Sequence, residues 1–296
     1  MSTQHKFTGT GVAIITPFKA DLSIDYTGLE KQIERLISNG VNYLIVLGTT
    51  GESVTQSEQE KEELVQFIIQ KVNKRIPIVL GVGSNNTQAV LNIIRKTDFS
   101  RIDAILSVAP YYNKPTQEGL FQHFKAIAEV CPVDVILYNV PDRTGSNIEA
   151  ETILRLAHEF KNIVAVKEAS GDFSQAMHII KEKPEHFAVI SGDDALTLPL
   201  ISVGMSGVIS VAANAFPKDF STMVQLALNN DFKEAEKIHY KLIEFIDYLF
   251  VEGNPAGIKK ALSILGVIEN YLRLPLVPVG DKTHQKLKAL IQEISN

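Results

Sequence analysis

A single cysteine, Cys131, stands in 296 residues. One thiol in an apolar setting offers no disulfide framework and points to a reducing compartment. The charge balance is slightly acidic, with 29 Lys and Arg against 34 Asp and Glu. The formal net charge is −5, which argues against a nucleic-acid partner, and the short basic run at Lys71, Lys74 and Arg75 reads as a solvated helix end. No apolar stretch reaches membrane-spanning length without a charge or a breaker, and the opening MSTQHKFTGTG lacks the apolar core of a signal peptide. The expectation is a cytoplasmic chain with neither membrane nor nucleic acid as partner. The seven histidines are scattered, without H-x-x-x-H spacing or a Cys/His cluster, so no metal is expected. A G-x-G-x-x-G turn is missing after the first apolar run, where GVAIITPF stands instead. The GDKT at 280–283 has the residue types of a phosphate loop but no glycine-rich lead and no preceding strand. No cofactor signature is left.

What is present is apolar and rhythmic. Hydrophobic residues make up 45% of the chain, ample for a large core. Eight β-branched runs recur, at 11–16, 43–47, 78–82, 104–108, 133–138, 163–167, 187–191 and 207–211. Most are continuous rather than alternating, as parallel strands covered on both faces should be. Helical segments lie between them. Ser57 and Glu60 form a capping-box pattern, Asp172 with Gln175 starts another helix, and Pro217 suits a first turn. Eight βα units predict an α/β fold, a (β/α)₈ TIM barrel, in preference to a doubly wound open sheet. From about residue 230 the pattern becomes helical and Pro-broken. The expected organisation is a catalytic barrel over 1–229 and a small C-terminal helical domain over 230–296.

In such a barrel the chemistry collects where strands end. The sixth run, IVAVK, ends in Lys167. Alternation would put Ile163, Ala165 and Lys167 on one face and Val164, Val166 and Glu168 on the other. Desolvation disfavours a charged ammonium at an apolar strand end, and a neutral amine is a nucleophile for a carbonyl; the competing reading is a lysine that snorkels out and pairs with Glu168. Tyr138, in phase with Ile136 at the end of the fifth run, would face the interior beside Lys167, as a proton relay or as a buried phenol with one hydrogen bond. Arg143 follows it, suited to gripping a carboxylate in two places. Thr49 and Thr50, between Gly48 and Gly51, offer donors to a small carboxylate or simply form a turn. The paired tyrosines 111 and 112 sit on a proline-rich loop and by themselves favour packing. Asp193 and Asp194, without a histidine nearby, read as a helix cap rather than a metal site.

Taken together, GTTGES at 48–53, PYYNKPTQEG at 110–119, YNVPDRTG at 138–145, VKEASG at 166–171, SGDD at 191–194 and GVISVAAN at 207–214 resemble the dihydrodipicolinate synthases, now called 4-hydroxy-tetrahydrodipicolinate synthases. They belong to the pyruvate-dependent class I aldolase and N-acetylneuraminate lyase superfamily. The motifs follow in order from the first strand to the eighth, and EGNP at 252–255 with Lys259 and Lys260 is similar too. The wider superfamily typically lacks an arginine after the YNVP turn, so Arg143 favours the synthase. The resemblance implies a lyase of the lysine and diaminopimelate pathway that joins pyruvate to L-aspartate 4-semialdehyde. It implies Lys167 as the imine-forming residue, Thr49 and Thr50 on the pyruvate carboxylate, and Arg143 on the second substrate. Tyr138, Thr50 and Tyr112 would relay protons, Tyr112 from a neighbouring subunit, with Gly192 and Ile209 lining the pyruvate site. It also implies a homotetramer built as a dimer of dimers, a dimer being the alternative. The related readings are a sugar-acid aldolase or lyase and a non-catalytic keto-acid binder. Family members inhibited by lysine commonly carry histidines where this chain has Glu58 and Lys61 and a glutamate where it has Ala89, although Ser53, Asn85 and Tyr111 match. Weak or absent inhibition by L-lysine is expected.

Overall fold

The computed structural model describes residues 5–295. Eight parallel strands close into a barrel in sequence order: β1 (Gly9–Ala13), β2 (Tyr43–Val46), β3 (Ile78–Gly81), β4 (Ala104–Val108), β5 (Asp134–Asn139), β6 (Ile163–Glu168), β7 (Ala188–Ser191) and β8 (Gly207–Ser210). The helices are α1 (Tyr26–Ser38), α2 (Glu58–Val72), α3 (Thr87–Lys96), α4 (Gln117–Val130), the single turn α5 (Pro141–Thr144), α6 (Ala150–Glu159), α7 (Phe173–Glu182), α8 (Thr197–Ser202) and α9 (Pro217–Leu228). After the barrel come α10 (Phe232–Phe250), α11 (Ala256–Ile264) and α12 (Asp281–Ser295). The TIM barrel expected from the βα rhythm is the fold observed. Among the described residues no helix is long and apolar enough to cross a membrane.

The continuous apolar runs are explained by two cores. One face of each strand packs outward, where Val12, Leu44, Leu137, Val166, Val189 and Val208 meet the helices. The other face fills the barrel, with Tyr43, Ile45, Val79, Leu106, Ile136, Tyr138, Ala165, Ile190 and Ile209. A parallel strand with both faces covered cannot alternate in polarity. Tyr43 shows how tightly the interior is filled. A Cβ on Gly11, its registered neighbour, would lie 2.2 Å from the Tyr43 ring, so only glycine fits there.

Helix starts follow the local signals. Ser57 Oγ accepts the Glu60 N–H at 3.2 Å and the Glu60 carboxylate accepts the Ser57 N–H at 2.9 Å, a complete capping box for α2. Asp172 accepts the Gln175 N–H at 3.0 Å at the start of α7, and Pro217 occupies the first turn of α9.

Two local expectations are corrected. Ile163 does not share the interior face with Lys167. It pairs with Val135 while Ala165 pairs with Ile136, so Val164 is an extra residue in β6 and the register shifts there. This β-bulge turns Ile163 into the outer core and leaves Ala165 and Lys167 in phase inside. The two aspartates after β7 also do separate jobs. Asp193 Oδ1 accepts the Leu196 N–H at 3.1 Å, just ahead of α8. Asp194, fully buried, instead reaches the next strand end and accepts the Val211 and Ala212 N–H groups at 3.0 and 2.9 Å. Burial pushes the Asp194 carboxyl above its ordinary value. It reinforces a seam where β7 and β8 share one registered pair, Ser191 with Val208.

Candidate active site

The bulge in β6 sets the phase of the site. With Val164 absorbed, Tyr138 on β5 and Lys167 on β6 are registered neighbours near the C-terminal ends of their strands, the end where barrel enzymes keep their chemistry. Both side chains are buried, and Lys167 Nζ lies 4.3 Å from the centre of the Tyr138 ring. An amine over an aromatic face, in a barrel lined mostly by apolar groups, has little water to compete with a carbonyl for it.

Glu168, the next residue along β6, faces the opposite way. It does not pair with Lys167 but accepts hydrogen bonds from Ser170 N–H at 2.7 Å, Asn139 Nδ2 at 3.0 Å and Gln175 Nε2 at 3.0 Å. Asn139 in turn donates to Asn147 at 2.8 Å and accepts the Ile148 N–H at 2.9 Å. A network of this kind, fully satisfied behind the strands, fixes β5 and β6 relative to each other.

The seventh strand supplies space rather than a functional group. A Cβ at Gly192 would lie 2.9 Å from Lys167 Cε and 2.5 Å from the Ala169 Cβ. Any side chain there would displace the lysine. The Gly192 N–H donates to the Glu168 carbonyl at 2.8 Å, holding the backbone against β6. Ile209 on β8 is buried in the same interior cluster as Tyr138.

The other candidates sit on the loops that follow β2, β4 and β5. Thr49 and Thr50 form a 3₁₀ turn directly after β2, Thr49 exposed and Thr50 buried. The turn is tied down from beneath, since the Gly51 carbonyl accepts Thr16 Oγ1 and Gln56 Nε2, each at 2.7 Å. The Thr50 hydroxyl accepts the Asn254 Nδ2 hydrogen at 3.0 Å, which leaves its own proton free to point elsewhere. Arg143 sits exposed on α5, a helical turn closed by Gly145 at φ +70°. Tyr112 is 88% exposed and in the left-handed region at φ +75°. Its N–H donates to the Thr144 carbonyl at 3.2 Å, so the Tyr111–Tyr112 loop leans on the turn that carries Arg143.

Sequence reasoning assigned no role to Glu52, or to Asn254, Lys259 and Arg273 of the C-terminal segment, whose contacts converge on Thr50 and Glu52. Their signal was the weak one of a similar EGNP stretch. Nothing local distinguishes Lys259, fully buried, from the adjacent and partly exposed Lys260.

Comparison with known proteins gives a consistent result. The model of the Dihydrodipicolinate synthetase family matches residues 6–294. A 4-hydroxy-tetrahydrodipicolinate synthase from Phocaeicola vulgatus is 53% identical over 291 residues, covering 98% of each chain. Among solved structures, the dihydrodipicolinate synthase of Thermotoga maritima is 41% identical with a TM-score of 0.96, covering 98% of this chain and 99% of that one. A chloride-inhibited dihydrodipicolinate synthase from Acinetobacter baumannii, solved in complex with pyruvate, is 40% identical with a TM-score of 0.94, covering 97% of this chain and 99% of that one.

Proposed function

The chain belongs to the dihydrodipicolinate synthetase family and its activity is 4-hydroxy-tetrahydrodipicolinate synthesis, and from that premise we propose that Lys167 carries the reaction as an imine. Its Nζ adds to the keto carbon of pyruvate, and the carbinolamine loses water to give the Schiff base. Loss of a methyl proton gives the enamine, whose carbon attacks the aldehyde of L-aspartate 4-semialdehyde. The amino group of the adduct then closes on the imine carbon and displaces Lys167, which regenerates the free amine. No step calls for a cofactor.

The supporting observation is the registered Tyr138–Lys167 pair, with the amine 4.3 Å from the ring centre in a buried setting. We assign Tyr138, Thr50 and Tyr112 to moving protons between the amine, the hydroxyl that leaves and the aldehyde oxygen. Thr49 and Thr50 receive the pyruvate carboxylate, Gly192 and Ile209 line its pocket, and Arg143 holds the carboxylate of the second substrate. The exposure of Tyr112 supports its contribution to a neighbouring copy, and hence a homo-oligomer, with a tetramer made of two dimers as the assembly. A buried free thiol at Cys131 supports a cytoplasmic setting.

The test is pyruvate consumption by the purified protein, with L-aspartate 4-semialdehyde in one reaction and N-acetylmannosamine in another. Consumption only with the semialdehyde is expected. Consumption only with the sugar would make the chain a sugar-acid lyase. Absence of a borohydride-trapped pyruvate adduct would make it a binding protein.

A further inference from the structure

The C-terminal segment reaches back over the barrel mouth with a buried cation. Lys259, on α11, is fully buried, and its ammonium lies against the equally buried Glu52 carboxylate. Lys259 Nζ also donates to the Tyr271 carbonyl at 2.9 Å and sits 4.0 Å from the centre of the Phe18 ring. Arg273 also lies over that ring, its guanidinium 4.4 Å from the ring centre. Its backbone N–H donates to Glu52 Oε2 at 3.2 Å, and its guanidinium donates to the Thr55 carbonyl at 3.0 Å and grips the Glu60 carboxylate with both terminal nitrogens. Glu60 is held down to about 2 by those bonds.

Glu52 is the residue through which all this reaches the site. It follows the Thr49–Gly51 turn directly and takes the left-handed conformation at φ +53°, a strained choice for a residue with a side chain. The backbone holds that shape while the side chain is pulled to Lys259 and Arg273. From the same segment, Asn254 bonds Thr50 itself.

We infer that Lys259, through its ion pair with Glu52, and Arg273, through its guanidinium on the Thr55 carbonyl and its backbone N–H on Glu52, are positioning residues that fix Thr49 and Thr50 at the barrel mouth. The inference rests on the assignment of those two threonines to pyruvate. It explains why two full charges are kept in a dry place where a packed apolar pair would be as stable. A directional ionic bond sets the position of one short turn, and an apolar contact does not.

Lys259→Met alone would leave Glu52 buried without its cation. The test therefore uses Glu52→Gln/Lys259→Met, which removes both charges, with Arg273→Lys as an independent variant. Assays run at pH 7, below the value of about 8 to which burial lowers Lys259. The expected result is a KM for pyruvate raised ~10-fold or more by the double variant and severalfold by Arg273→Lys, by analogy with other misplaced binding groups. The KM for the semialdehyde should hardly move, and any fall in kcat should stay smaller than the rise in the pyruvate KM, since Thr50 also serves the proton relay. A folded variant with an unchanged pyruvate KM and only a lower Tm would overturn the inference; if the double variant does not fold, Arg273→Lys decides. Thr49→Val and Thr50→Val are measured in parallel. If they raise the pyruvate KM and the ionic variants do not, the inference alone fails. If they leave it unchanged, the threonine assignment fails and takes the inference with it.

Discussion

Lys167 and Tyr138 face each other across the β5–β6 ladder, with the lysine nitrogen 4.3 Å from the centre of the phenol ring. The two groups have separable jobs. Lys167→Ala should abolish turnover, and intact-mass analysis after borohydride and pyruvate should find no adduct. Tyr138→Phe keeps the ring over the amine and loses only the hydroxyl. It should still be trapped by borohydride while kcat falls ~10²–10⁴-fold, the usual worth of a positioned proton relay. A Tyr138→Phe enzyme with near-normal kcat would remove Tyr138 from the relay.

Gly192 limits the lysine sterically. A methyl group there would stand 2.9 Å from Lys167 Cε, well inside van der Waals contact, and the buried lysine has little room to move away. Gly192→Ala should therefore slow imine formation at least ~10-fold, since small displacements of a reacting group are expensive. The rate of trapping by borohydride at fixed pyruvate measures this. Equal trapping rates in both proteins would show that the lysine repacks freely.

The pair was legible because two periodicities coincide. Tyr138 follows Ile136 in phase, and Lys167 follows Ala165. The same alternation failed two residues further back at Ile163, because the bulge at Val164 leaves no trace in a run of apolar residues. The threonine turn was legible from its glycines, but its anchoring was not. Asn254 lies 204 residues from Thr50, and Arg273 lies 221 from Glu52. Contacts that distant depend on how the C-terminal helices dock, which no local pattern encodes. Lys259 and Lys260 are identical neighbours on paper, and only the helix orientation decides which one is buried.

Arg143 should decide the second substrate. Its exposed position on α5 leaves its guanidinium available to a carboxylate. Charge-assisted hydrogen bonds of this kind are worth about 1.5–3 kcal/mol. Arg143→Ala should then lower kcat/KM for the semialdehyde by ~10–100-fold while leaving the rate of the pyruvate adduct unchanged. An unaffected kcat/KM would favour the sugar-acid reading of the site.

L-Lysine should inhibit weakly or not at all. Glu58 and Lys61, at positions where histidines accompany inhibition, pair with each other at 2.7 Å on the first turn of α2. A ligand that needed either side chain would have to break that contact, and Ala89 offers no carboxylate for an incoming ammonium. A steady-state titration checks this, and inhibition at submillimolar L-lysine would contradict it.

Acid should weaken the fold through His123, away from the catalytic groups. This side chain is buried between α3 and α4, with Nδ1 at 2.8 Å from the Thr87 hydroxyl and Nε2 without a partner. Burial lowers it from 6.5 to about 4, so the folded protein keeps a neutral ring where the unfolded chain already binds a proton. The stability tied to it is complete above pH 6.5 and is lost as pH falls towards 4, where the unfolded state holds more protons. At about 1.4 kcal/mol per unit, the loss across that window is about 3 kcal/mol. Carboxylates such as Glu60 add their own losses in acid, so the comparison must be with a variant. His123→Gln should be less stable than the parent at pH 7.5, and the gap in Tm between the two should narrow steadily as pH falls to 4.5. A gap that stays constant would mean that the ring binds its proton as easily in the fold as in the unfolded chain.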